Sequence, residues 1–376
     1  MVNQIKMPVL HMKKSKHKQP RLLNRNLFSV FILLLLTGSS LAQDNKEKAE
    51  MNARQALVFE ENGKTMEAIP LLEEAVKLDP GNINVAYELA VVYATNKEYS
   101  RSKAILLPLL GRKNVYGLVY HLLGNDYDEL GLPDSAVLAY EKGLILFPKT
   151  AELFLELGNM SLKKKNLIKA IDYFEKGIRA NPLFASNYYR AAKLFLSSNE
   201  TIWGMLYGEI FMNLEKKSDR TAEISNLLYA AYKKHIRIPK DSSPVVRFSN
   251  NFFAAGDTLK PSFGKFVYEP LLVKSIDKER SVDYEAVCRI RKRFITHYIQ
   301  DNYYTRYPNA LFSYQYKILK AGHIEAYNHW ILSQGDKTGF DEWVKKYPKA
   351  WNDFLYWFRH NEIPLSEDYK FYREQY

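Results

Sequence analysis

The chain has 376 residues, 47% of them hydrophobic, and a formal net charge of +12, long enough for two domains and too apolar for a disordered chain. Seven basic residues, Lys6, Lys13, Lys14, Lys16, Lys18, Arg21 and Arg25, precede residue 43 with no acid among them, which leaves +5 on residues 43–376. That remainder is interspersed with Glu and Asp and forms no long like-charge block, so it argues against a nucleic-acid surface.

In chain order, the basic opening runs into an apolar stretch at 27–36, then Thr37-Gly38-Ser39-Ser40 and Leu41-Ala42-Gln43. A short apolar run followed by a small-residue Ser40-x-Ala42 site reads as a secretory signal peptide over residues 1–42, cleaved after Ala42. Ten residues fall short of the ~20 that span a bilayer. Membrane contact is expected only if 27–36 stays uncleaved. The only cysteine, Cys288, is far from the cleavage position, which argues against a lipid anchor there, and it reads as a small buried apolar residue.

Self-comparison then dominates. Pro80, Pro148 and Pro182 are separated by 68 and 34 residues. Ahead of them, Ala68-Ile69-Pro70-Leu71-Leu72-Glu73-Glu74-Ala75-Val76, Ala136-Val137-Leu138-Ala139-Tyr140-Glu141-Lys142-Gly143-Leu144 and Ala170-Ile171-Asp172-Tyr173-Phe174-Glu175-Lys176-Gly177-Ile178 superpose. A small residue followed four positions later by a bulky one shares its helix face: the first permits close approach and the second fills the groove. Leu89-Ala90 with Tyr93, Leu123-Gly124 with Tyr127, and Leu157-Gly158 with Ser161 recur in the helices between.

A period of 34 with these slots resembles the tetratricopeptide repeat family. Repeats fall at 49–82, 83–116, 117–150 and 151–184, with a degenerate fifth at 185–218 and an extra helix at 219–236. In the fifth, Gly204 and Gly208 replace the expected small and bulky residues, which marks it as a junction to the C-terminal part of the chain. The resemblance implies helix pairs stacked in a superhelix whose first helices line a concave, partner-binding groove, with no catalysis supplied by the fold. Its groove-facing positions carry over to Tyr87, His121, Asn125, Asp128, Asn159, Lys163, Tyr189 and Lys193. Asn125 and Asn159 share one slot, where an amide can both donate to and accept from an extended peptide, while Lys163 and Lys193 suit a carboxylate.

Residues 237–262 are dense in helix breakers and read as a linker or loop with at most a short helix, leaving 263–376 as a further domain. Aromatics make up 29 of the 136 residues from 241 onward. Helical stripes occur at Val287, Ile290, Arg291, Phe294 and Tyr298, and helices are expected at 309–320, 323–332, 340–346 and 349–360. The rings of Trp343, Trp351, Phe354, Tyr356, Trp357 and Phe358 suit a core better than a glycan platform. Glu325 and His329 share a helix face, the minimum for a two-ligand metal site, but complete no metal signature. With Tyr327 and Trp330 they form the best alternative centre for an activity.

The expected fold class is thus all-α: a tetratricopeptide superhelical solenoid followed by an aromatic-rich helical region. The C-terminal part, with Trp203-Gly204-x2-Tyr207-Gly208-Glu209-x-Phe211-x-Asn213-Leu214-Glu215 before it, resembles the uncharacterised C-terminal extension of exported repeat proteins of Bacteroidota. The expected function is an exported, periplasmic or envelope-associated scaffold binding a protein or peptide, with no catalytic residues, cofactor or metal. The alternative is an enzyme or carbohydrate-binding protein whose C-terminal helices carry the activity.

Overall fold

The computed structural model describes the backbone of residues 25–376 except 251, 256, 257, 367 and 370, and side chains from residue 43 except 251–261, 367 and 370. The expected signal peptide at 1–42 therefore lies outside the described residues up to 24, and at 25–42 only its helical backbone is described. Among the described residues no helix is long and apolar enough to cross a membrane. The chain forms two compact units, residues 1–89 and 90–376.

In the first unit, α1 (Arg25–Glu61) packs on α2 (Thr65–Leu78), and α3 (Ile83–Thr95) begins. Ala49, Ala56, Ala68 and Ala75 are fully buried beside Leu72, so small side chains set a close helix pair.

The second unit continues with α4 (Tyr99–Leu109), α5 (Gly117–Glu129), α6 (Pro133–Leu146), α7 (Ala151–Lys163), α8 (Leu167–Ala180), α9 (Ala185–Leu196), α10 (Thr201–Leu214) and α11 (Asp219–His235). The period is kept to the residue: first helices start at 83, 117, 151, 185 and 219, second helices at 65, 99, 133, 167 and 201. The small slot works as its chemistry dictates. A Cβ on Gly124 would stand 2.1 Å from the Tyr140 ring and one on Gly158 2.3 Å from the Phe174 ring, so each glycine exists to seat a ring of its partner helix.

The fifth pair departs from this rule for a visible reason. Gly208 replaces the ring and Ala192 replaces the glycine, so α9 and α10 approach backbone to backbone; a Cβ on Gly204 would lie 2.5 Å from the Leu196 amide nitrogen. Every residue of α10 from Thr201 to Asn213 is buried. An ordinary second helix exposes one face, whereas α10 is covered on all sides.

The cover comes from the rest of the chain. Residues 237–262 are more ordered than a linker: β1 (Ile236–Arg237) pairs antiparallel with β2 (Val245–Val246), and β3 (Phe252–Ala255) with β4 (Thr258–Pro261). The buried Glu269 carboxylate accepts the Phe248 and Ser249 amides at 2.6 and 2.9 Å, pinning the segment after β2. A π-helical turn at Gly264–Tyr268 leads into α12 (Glu269–Ile276), then α13 (Tyr284–Gln300), α14 (Tyr303–Arg306), α15 (Ala310–Lys320), α16 (Ile324–Ile331), α17 (Lys337–Lys346) and α18 (Pro348–His360). A separate domain from 263 would need its own core. Instead one continuous core runs from Ala170 to Phe371, because α10 is the wall both parts share.

At the centre of that core Arg291 of α13 forks onto Glu209 of α10 at 2.9 and 2.7 Å, both side chains about 5% exposed. Tyr327 and Gln315 also donate to Glu209, and Arg291 donates to Asn328 and Tyr232. The C-terminal tail returns to the repeats. Arg373 binds the buried Glu175 of α8 at 2.8 and 3.0 Å, and Tyr207 donates to the same carboxylate at 2.8 Å.

Removing one partner of a buried ion pair strands the other charge, so Arg291→Met should cost about 3–5 kcal/mol in urea unfolding, with Glu209→Gln/Arg291→Met costing less than the sum of its singles. Gly204→Ala should cost about 1–3 kcal/mol by overpacking against backbone, while Gly111→Ala, which meets open space, should change the melting temperature little.

Candidate partner-binding face

Successive first helices touch one another, α5 with α7, α7 with α9 and α9 with α11. Their shared side is the inner face of the array, and the family-derived positions from 121 to 193 lie on these helices. Tyr87 lies on α3 in the first unit, half-buried.

The positions in the second unit are joined to one another from helix to helix. Lys163 donates to Asp128 at 2.5 Å, and Lys193 to Glu223 at 2.6 Å. Tyr189 donates its hydroxyl to Glu223 at 2.5 Å. His121 Nε2 stands 3.3 Å from the Asn125 amide nitrogen and 3.6 Å from Glu156. Asn159 donates to Glu156 at 3.0 Å, whereas Asn125 accepts the Tyr140 hydroxyl at 2.7 Å. The two asparagines occupy one slot but do different work, because Tyr140 reaches Asn125 while its counterpart in the next repeat, Phe174, has no hydroxyl to offer Asn159.

Three residues of this face are not among the family-derived positions. Glu156, Arg190 and Glu223 complete the row. Burial pulls the Glu156 carboxyl up, but His121 alongside and the hydrogen bond from Asn159 outweigh it and hold Glu156 below the ordinary carboxylate range. Hydrogen bonds from Lys193 and Tyr189 likewise hold Glu223 low. Arg190 lies over the Tyr189 ring at 5.9 Å and adds attraction to both Glu156 and Glu223. The signal for Glu223 was available: it stands 34 residues after Tyr189, in the same slot of a sixth first helix.

Chemically, the face is a ladder of acid–base pairs with few open groups. Lys163 and Lys193 are engaged by carboxylates of the chain itself. Among the described residues, the Asn159 amide oxygen and the Arg190 guanidinium carry no hydrogen bond, so they are the groups a ligand would meet first.

The alternative centre divides. Glu325 is exposed and takes Lys292 at 2.5 Å, while His329 is 2% exposed and stacks on Trp343 at 4.3 Å. Tyr327 points instead into the core, donating to Glu209, and Trp330 packs on Phe358 at 4.9 Å. Among the described residues no group of three His, Cys, Asp or Glu side chains is placed to hold a metal. Of the aromatic stripe, Trp343, Phe354 and Phe358 are buried, Trp351 and Trp357 pack against the core, and Tyr356 alone is well exposed. Cys288 is buried, which pushes its thiol far up.

Comparison with known proteins agrees with this architecture. Residues 60–124 and 121–183 match two family models, each described as tetratricopeptide repeat. Residues 60–183 carry tetratricopeptide repeats. It is 26% identical over 197 residues to the type IV pilus assembly protein PilF of Pseudomonas aeruginosa, covering 48% of this chain and 77% of that protein. A BBSome complex member BBS4 homolog of Drosophila melanogaster is 23% identical over 168 residues, covering 44% of this chain and 34% of its own. A solved structure of Pseudomonas aeruginosa PilF aligns with a TM-score of 0.43 at 23% identity, covering 51% of this chain and 86% of that one.

Asp126 of α5 is 1% exposed, and burial pushes its carboxyl up to about 6, outweighing the opposing pull of the neighbouring Ser102 hydroxyl and Lys103 ammonium. An acid whose folded value exceeds its unfolded one binds the extra proton in the folded state, so stability declines as pH rises from 3.8 through about 6. Asp126→Asn should therefore stabilise the repeats above that window by on the order of 1–2 kcal/mol and do little below it, read from melting curves across pH.

Proposed function

We propose that this protein is an exported scaffold of the cell envelope that holds a protein or peptide partner on the inner face of its tetratricopeptide repeats. The observation that carries the reading is the continuous polar row on α5, α7, α9 and α11, built from Asp128, Glu156, Asn159, Lys163, Tyr189, Arg190, Lys193 and Glu223. Pairing within the row fixes each side chain in place, so a ligand meets a preorganised surface and loses less affinity to ordering. The partner's backbone meets the Asn159 amide oxygen, and a partner carboxylate meets Arg190. The type IV pilus role in the name of the Pseudomonas relative is compatible with an envelope assembly partner. Export rests on the signal-like residues 1–42, and the likeness to Bacteroidota repeat proteins belongs to the same proposal.

The obvious double mutant at Asn125 and Asn159 would confound folding with binding, since Asn125 satisfies the Tyr140 hydroxyl. Asn159→Ala/Arg190→Ala avoids this. In affinity purification from native cells, a partner retained by the wild-type chain should be lost by this variant and kept by Lys349→Ala, an exposed position on α18. Equal recovery by all three would sink the groove reading. N-terminal sequencing of the exported chain should begin near Gln43; an intact residue 27–36 segment would replace secretion with anchoring.

A further inference from the structure

A cleft of about 670 Å³ opens among α13, α16 and α17, with no lining residue in common with the inner face of the repeats. Its floor holds His329, 2% exposed, with one ring face against the Trp343 indole at 4.3 Å and Tyr284 alongside at 5.1 Å. The imidazole satisfies none of its hydrogen-bonding capacity. Nδ1 is buried without a partner, and Nε2 faces Glu285 in the cleft wall at 3.8 Å, beyond hydrogen-bond reach. Burial pushes this histidine down to about 4, so near neutral pH it is an uncharged ring with one acceptor nitrogen.

The wall is electrically unbalanced around it. Among the cations, Arg289 is taken by Glu279 at 2.8 Å and Lys292 by Glu325 at 2.5 Å, and the Lys346 ammonium lies over the Tyr347 ring at 5.2 Å. Among the carboxylates, Asp283 and Asp336 cap the starts of α13 and α17. Glu285 and Glu342 have no hydrogen-bonded partner among the described residues. For Glu285, burial outweighs the attraction of Arg289 and Lys346 and raises its carboxyl above the ordinary range. A sugar would need an open ring face, but Trp343 is 6% and Tyr284 3% exposed, and the half-exposed Tyr347 ring already carries the Lys346 ammonium. An anion would meet surplus negative charge.

We propose that this cleft binds an organic nitrogen cation, a guanidinium or ammonium group, with Glu285 and Glu342 as its counter-charges and His329 Nε2 accepting a hydrogen bond from one of its N–H groups. Such a group supplies both things the cleft lacks, positive charge for the two carboxylates and a donor for the imidazole. Its source is either a basic side chain of a peptide or a free polyamine. The proposal stands apart from the groove: loss of partner binding on α5–α11 leaves it untouched.

The test is a titration of the full-length chain, followed by calorimetry and by the His329 imidazole resonance, assigned through His329→Gln. Three probes are used: acetyl-Gly-Arg-Gly-amide, the same peptide with neutral citrulline in place of arginine, and spermidine. The arginine peptide, spermidine or both should bind and move the His329 resonance, and which of them does so identifies the source. Citrulline should bind at least about tenfold more weakly, and Glu285→Gln/Glu342→Gln should lower cation affinity by a similar factor. Because Glu342 is exposed, Glu342→Lys keeps the fold and should abolish binding even if the double variant melts early. Citrulline binding as well as arginine, neither cation moving His329, or unchanged affinity in Glu342→Lys would each overturn the proposal.

Discussion

The structure from the fifth repeat onward depends on one buried ion pair, Glu209 with Arg291. Two charges taken out of water cost several kcal/mol each unless nearly every donor and acceptor is met. Here Arg291 uses four N–H groups, on Glu209 twice, Asn328 and Tyr232, and Glu209 also receives Tyr327 and Gln315. Satisfying all of these at once ties α10, α11, α13, α15 and α16 to one another. The pair therefore fixes geometry more than it adds net stability, and it turns the last repeat helix into the spine of a second helical layer. Glu175 with Arg373 repeats the device at the tail, closing the C-terminus onto α8 and α10.

The inner face obeys a related logic in milder form. Its charges are partly exposed, so each pair is worth little alone. Their value lies in orientation: a ladder running from α5 to α11 holds eight or more long side chains in register and leaves Asn159 and Arg190 as open groups. Preorganised but mostly self-satisfied surfaces favour a partner that brings its own matched polar pattern over any exposed anion. The cleft near His329 is the opposite case, with an imidazole and two carboxylates that the chain leaves unmatched.

Much of the fold was legible beforehand because repetition is a one-dimensional signal. Glycine or alanine in the small slots, rings in the bulky slots and prolines after the second helices recur at 34, and the helices start where that frame puts them. The C-terminal helices were legible as helices, through stripes such as Val287, Ile290, Arg291, Phe294 and Tyr298. Their partners were not. Arg291 sat in that stripe as one more half-polar position, and Glu209 as an acid in an altered repeat; nothing in a spacing of 82 residues says that the two meet. The groove positions taken from the family lie on α3, α5, α7 and α9, and their pairing with Glu156 and Glu223 depends on contacts between repeats. The same limit split the Glu325–His329–Tyr327–Trp330 group, since residues adjacent on a short helix point toward different neighbours.

By itself, then, the sequence determined what is local and periodic: a predominantly helical chain, the repeat length and the frame in which the repeat helices start. Those come from slot chemistry, where a missing Cβ admits a ring and a proline stops a helix, and each acts within one or two turns. Only the tertiary structure decided what is long-range. It made residues 263–376 share a core with the fifth repeat instead of forming a domain, and it turned Lys163 and Lys193 from open cations into ladder rungs. It also left His329 beside Glu285, a carboxylate without a hydrogen-bonded partner among the described residues. Burial and charge pairing are set by which surfaces meet, and sequence spacing does not carry that information between elements this far apart.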